Sequence, residues 1–132
     1  LDNEVGEMRR ILNSFLQFIE QDSSESIIIA ATNNQKLLDQ ALFRRFDDVL
    51  HYSLPTTDEI RRLFEYKLVN YDKNFKITKE IIQVADGLNH AEIVKVCDDA
   101  IKSSILVDQP LNSKELSSLL SERKRIYSYK EA

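Results

Sequence analysis

Glycine and proline are almost missing from this sequence, with two of each in 132 residues. An all-β sandwich needs both at regular intervals, so the composition argues against that class, and long regular elements with few tight turns are expected. The single cysteine, Cys97, rules out an internal disulfide and fits a reducing compartment, so a cytoplasmic location is expected. One cysteine with two histidines, His51 and His90, does not make a metal set. No Ser-His-Asp or Cys-His arrangement has a spacing that suggests nucleophilic catalysis. No apolar run approaches the about 18 residues of a membrane helix, and the N-terminus has no basic-then-apolar leader pattern. It also has no initiator methionine, which fits an excised fragment. There is no excess of positive charge: a net charge of -4 and a pI near 5.2 give no global footprint for nucleic acid. Acids and bases mix along the chain as on solvated helix faces, apart from one basic cluster of Arg123, Lys124, Arg125 and Lys130.

What is present is apolar periodicity. Hydrophobic residues make up 42% of the chain, enough to bury a core. Val5, Met8, Ile11, Leu12, Phe15, Leu16 and Ile19 recur at helical spacing and predict an amphipathic helix. Ser26 to Ala31 is a short β-branched run that reads as a buried strand, and Asn33 to Gln35 as a turn. Leu37 to Phe43 reads as a short helix capped by Asp39. Val49 to Leu54 reads as a second strand ended by Pro55. Beyond it, Thr56 or Thr57 with Glu59 opens a helix carrying Ile60, Leu63, Phe64 and Leu68. Thr78 caps a helix through Ala85, and Asp86-Gly87 breaks it with Gly87 suited to positive φ. Asn89 caps a third helix whose stripe is Ile93, Val96, Cys97, Ala100 and Ile101. Ser113 opens a fourth, through about Arg125, with Leu116, Leu119 and Leu120 inward. The Lys124 to Lys130 tail alternates bases and aromatics and reads as a frayed end.

Pro55 thus divides the chain. The expected fold is mostly α with a small α/β part: residues 1–54 as the C-terminal part of an α/β domain, residues 55–132 as a four-helix unit. Two strands are too few for a stable open sheet, so an N-terminal portion is expected upstream of Leu1.

These residues form a recognisable block. Thr32-Asn33, then Leu38-Asp39-Gln40-Ala41-Leu42, then Arg44-Arg45-Phe46-Asp47 resembles the second region of homology of AAA ATPases. Gly6 to Asn13 looks like the helix that precedes it, and Gly87-Leu88-Asn89-His90-Ala91-Glu92-Ile93 resembles the start of that family's lid helix. The likeness runs in order over nearly the whole chain. It implies the C-terminal part of a P-loop ATPase domain followed by a helical lid. The phosphate loop G-x-x-x-x-G-K-[ST] is not in the sequence, nor is the apolar strand ending in Asp-Glu that holds Mg²⁺. Both are expected before Leu1, so this chain alone is expected not to hydrolyse ATP and to bind it weakly or not at all.

The resemblance assigns roles to particular residues, each with a plainer alternative. Asn33 matches sensor 1, where an uncharged amide orients water or contacts the γ-phosphate; its composition also suits an Asx turn. Thr32 can support it through its hydroxyl. Arg44 and Arg45 match arginine-finger positions reaching a neighbouring subunit's γ-phosphate; the alternative is a surface pair bonded to Asp47 or Asp48. They are adjacent here, where many relatives separate them by Pro-Gly. Gly87, His90 and Ala91 match the lid-helix start, where small residues let a nucleotide approach; His90 stands where the common pattern has Gly, and either contacts the nucleotide or faces solvent. Leu63 aligns with an adenine contact and equally fits the apolar stripe. Lys67 falls where many relatives carry a ribose-contacting His. Cys97 fits a buried small hydrophobe.

The implied parent uses ATP and Mg²⁺, assembles as a homo-oligomeric ring, a hexamer, and remodels or unfolds a protein substrate. No membrane segment and no nucleic-acid partner are expected of this chain. The reading from another class is a non-catalytic helical interaction module with a degenerate nucleotide site.

Overall fold

A computed structural model of the chain describes residues 2–34 and 43–131. The expected short helix at Leu37 to Phe43, with its Asp39 cap, lies outside the described residues except for Phe43. Packing divides the chain into two compact units, Leu1–His51 and Tyr52–Ala132.

In the first unit, helix α1 spans Asp2–Glu20, as its apolar spacing predicts. Leu16 is buried on it, whereas Val5, Met8, Ile11 and Phe15 are about half exposed. The two expected strands do not form. Residues 26–31 and 49–54 carry no regular secondary structure, and no strand occurs among the described residues. Ile27 and Ile29 are 90% and 88% exposed, where a buried strand was expected. The physical reason is that a strand holds only when its N–H and C=O groups pair with neighbouring strands. Two short segments do not supply that ladder. The helical part of the expected fold class therefore stands, and the small α/β part is not shown among the described residues.

The second unit is helical throughout its regular parts. Helix α2, Thr57–Phe64, opens on a capping box: the Thr56 hydroxyl accepts from the Glu59 N–H at 3.3 Å, and the Glu59 carboxylate accepts from the Thr56 N–H at 2.7 Å. It runs on into one wider π-helical turn, Glu65–Val69, that the apolar spacing did not predict. There the Asn70 amide donates to the Tyr66 carbonyl at 2.9 Å. Thr78 caps α3, Lys79–Ala85, and Asn89 caps α4, His90–Val107. Asp108, in the left-handed region at φ 52, ends α4. The Ser104 hydroxyl, near the end of α4, donates to the Gln109 carbonyl.

Asn112 caps α5, whose helix spans Ser113–Glu131. This corrects the expected frayed tail, because the helix continues well past Arg125. Its reason is the anchoring of Arg123 and Tyr127 described below.

These helices converge on one core. Ile60, Phe64, Leu68, Ile81, Ile93, Cys97, Leu116 and Leu120 are all at or below 2% exposure. α4 and α5 pack along one another, while α3 lies against α5 and α2 against both α3 and α4. Leu63, Ile101 and Leu119 pack at the edge of the core, partly buried. Each large apolar side chain so enclosed contributes roughly 1.5–3 kcal/mol relative to exposure.

Candidate functional site

In the first unit the polar stretch after Ala31 forms a local bend. The Thr32 hydroxyl accepts from the Asn34 N–H at 3.1 Å, which turns the chain about Asn33 and leaves Asn33 exposed. Thr32 therefore supports the bend, as its side chain allows. Arg44 and Arg45 lie in a turn in which the Phe46 N–H donates to the Phe43 carbonyl at 3.3 Å. The two arginines differ. Arg45 Nε lies 3.5 Å from Glu20 Oε1, at the last turn of α1. Arg44 has no ion pair among the described residues. The surface-pair alternative named Asp47 or Asp48 as partner; the observed partner is Glu20, and it holds Arg45 alone. An exposed pair of this kind is worth little and is easily exchanged for another anion.

In the second unit the starts of α2 and α4 come together. The Glu59 carboxyl is held below the usual carboxylate range, chiefly by the Thr56 N–H and hydroxyl, with smaller help from nearby His90 and Arg62. His90 and Ala91 form the first, exposed turn of α4. Gly87 ends the preceding turn at φ 91, a conformation L side chains rarely adopt. Space is not what requires glycine there, since an added Cβ would find only Lys124 Cε, at 4.0 Å. Leu63 is half-buried at the core edge, so its packing role is realised. Lys67 is committed elsewhere: its Nζ lies 2.6 Å from Asp98 Oδ1 on α4. That bond raises the Lys67 pKa and leaves the lysine poorly placed to take the ribose-contacting role.

One cluster here was missed in the sequence. Glu92, in the first turn of α4, receives Arg123 Nε and, at 2.7 Å, the Tyr127 hydroxyl, both from α5. Its side chain is only 12% exposed, and its backbone N–H donates to Asn89 Oδ1 at 2.9 Å. The bond to Glu92 raises the pKa of both Arg123 and Tyr127. The available signal was the Asn89-x-x-Glu92 cap pattern together with Arg123 and Tyr127 four apart on one helix face. Their assignment to a frayed tail hid it.

Cys97 is fully buried, and burial pushes its thiol up to about 12, so it is inert rather than nucleophilic. Among the described residues no group of three His, Cys, Asp or Glu side chains is placed to hold a metal ion. No described helix is long and apolar enough to cross a membrane.

Residues 2–54 match the family model of the ATPase family associated with various cellular activities, AAA. Over residues 2–54 the chain belongs to the AAA family. Relatives extend the AAA likeness beyond that segment. An AAA family ATPase of Sinorhizobium fredii is 38% identical over 103 residues, covering 78% of this chain and 31% of the relative. The ATP-dependent zinc metalloprotease FtsH of Parabacteroides distasonis is 33% identical, over 74% of this chain and 15% of its own length. A putative 26S proteasome regulatory subunit homolog of Methanocaldococcus jannaschii is 27% identical, over 83% of this chain and 31% of its own length. The chain thus spans about a third or less of these relatives. No solved structure matches it significantly.

Proposed function

We propose that this chain supplies the sensor-1, arginine-finger and lid portion of an AAA ATPase, with residues 1–54 belonging to the nucleotide-binding domain and residues 55–132 forming the lid. The observation that carries the reading is the match of residues 2–54 to the AAA model, a stretch that includes Asn33, Arg44 and Arg45. The relatives' coverage of more than two thirds of the chain extends support into the helical unit.

On this reading the lid residues of this chain touch the ATP that the full-length protein binds. The residues present fit the lid side of such a site: an open helix start at His90 and Ala91, Gly87 with free space around it, and the aliphatic edge of Leu63. They do not offer a Mg²⁺ ligand set, whose members belong to the phosphate-loop side of the full-length protein. Bound ATP supplies the γ-phosphoryl group. Asn33 orients the attacking water without adding charge, and a guanidinium from the next subunit offsets the charge that develops on the phosphoryl oxygens. Arg44, which has no ion pair among the described residues, is the principal finger, whereas Arg45 is steadied by Glu20. The full-length protein assembles as a ring, a hexamer, in the cytoplasm and couples turnover to remodelling of a protein substrate.

The test compares Arg44→Ala and Arg45→Ala in the assembled full-length protein. Arg44→Ala retains ATP binding and loses turnover by roughly 10³-fold or more, while Arg45→Ala loses less. Unchanged turnover in assembled Arg44→Ala rings would sink the assignment.

A further inference from the structure

An open groove of about 670 Å³ runs along the outer flank of α2 and its π-helical turn, closed on the other side by the loop that leads to α3. It is distinct from the α2–α4 end just described. Its floor is apolar: Phe75 is 7% exposed, and Val69 and Ile77 are half-buried. Tyr66 stands at its rim, 71% exposed, although the turn that carries it otherwise packs Leu68 into the core. The wider turn makes this possible. An i→i+5 turn admits an extra residue and changes the direction in which side chains leave the helix, and such turns occur often at functional sites.

The charge around the groove is one-sided. Arg61, Arg62 and Lys76 line it with a single carboxylate, Glu65, in a chain whose net charge is -4. None of the three cations has an ion pair among the described residues. Arg62 also feels Glu59 from a distance. Cations around a half-buried apolar floor with an exposed aromatic rim select a ligand that is anionic outside and apolar at its centre.

We infer that this groove is a docking site for an acidic peptide segment of a partner protein, one that places an aliphatic or aromatic side chain on Phe75 and Val69 between flanking carboxylates. The partner's carboxylates meet Arg61 and Lys76, and Tyr66 covers its apolar anchor. A nucleic acid is the less suitable ligand, because the floor offers aliphatic surface and the groove lacks the basic stripe that tracks a phosphate backbone. The inference does not depend on whether the chain takes part in ATP turnover.

The experiment uses the 132-residue chain and a set of fluorescein-labelled peptides in which a Phe or Leu is flanked by Asp and Glu, with a Lys-flanked set and labelled single-stranded DNA as controls. Anisotropy should show saturable binding of the acidic set alone, weakening as salt rises. Arg61→Glu/Lys76→Glu should weaken it by about tenfold or more, and Tyr66→Ala, which removes a rim side chain and no charge, should weaken it at high salt as well as low. These side chains lie at the surface, and an unchanged helical spectrum verifies the fold. Absence of saturable binding by any acidic peptide, equal binding by the charge-reversed variant, or tighter binding of DNA than of every peptide would overturn the inference.

Discussion

At the scale of single residues, two positions in the helical unit are constrained by different physics. Gly87 is fixed by its backbone and not by crowding, since its φ is 91 and the space around it is open. Gly87→Ala should destabilise the chain by about 1–2 kcal/mol, the usual strain of a left-handed L residue, measurable by urea unfolding. Cys97 is constrained by burial. Its thiol is pushed up to about 12, whereas an unfolded thiol titrates near pH 8.5. The unfolded chain therefore gives up this proton first. The stabilisation is complete below about pH 8.5 and is lost as pH rises toward about 12. Tyr127, raised by its bond to Glu92, acts in the same alkaline direction. Urea midpoints should fall above about pH 9, with a shallower fall in Cys97→Ala, and alkylation of Cys97 at neutral pH should wait for unfolding.

At the scale of elements, periodicity and caps made the helices legible and long-range pairing was not. The stripe on α2, the Thr56 box, the Thr78 and Asn89 caps and the Gly87 break are local signals, and each is found in place. The core positions Phe64, Ile93, Leu116 and Leu120 follow from the same spacing. Phe64→Ala should cost about 3–5 kcal/mol, whereas Thr56→Ala, at the exposed start of the same helix, should cost about 1 kcal/mol. Comparing the two by thermal melts separates core from cap. The Ser26 to Ala31 strand is not seen, because β-branched apolar residues report a preference for a sheet and cannot report whether partner strands exist. The π-helical turn escaped because the side-chain pattern through Leu68 is continuous. The Glu92–Arg123–Tyr127 cluster escaped because it joins residues 31 and 35 apart in sequence. For the candidate site, residue types and order carried the family likeness, but the Arg45–Glu20 pair and the Lys67–Asp98 pair required coordinates.

At the scale of the whole molecule, the proposed function divides this chain between two active sites, Asn33 serving its own subunit's nucleotide and Arg44 a neighbour's. The family match supports the parts; the division between subunits can be tested by complementation. Full-length Asn33→Ala and Arg44→Ala proteins should each bind ATP and turn it over at a small fraction of the normal rate. Mixed in one assembly, they create interfaces in which an intact Asn33 faces an intact Arg44 from the next subunit. The measurement is ATP turnover of the mixture against the two separate variants. Recovery well above either variant alone, peaking near equal proportions, is expected; turnover that is only the average of the two would rule out the division between subunits.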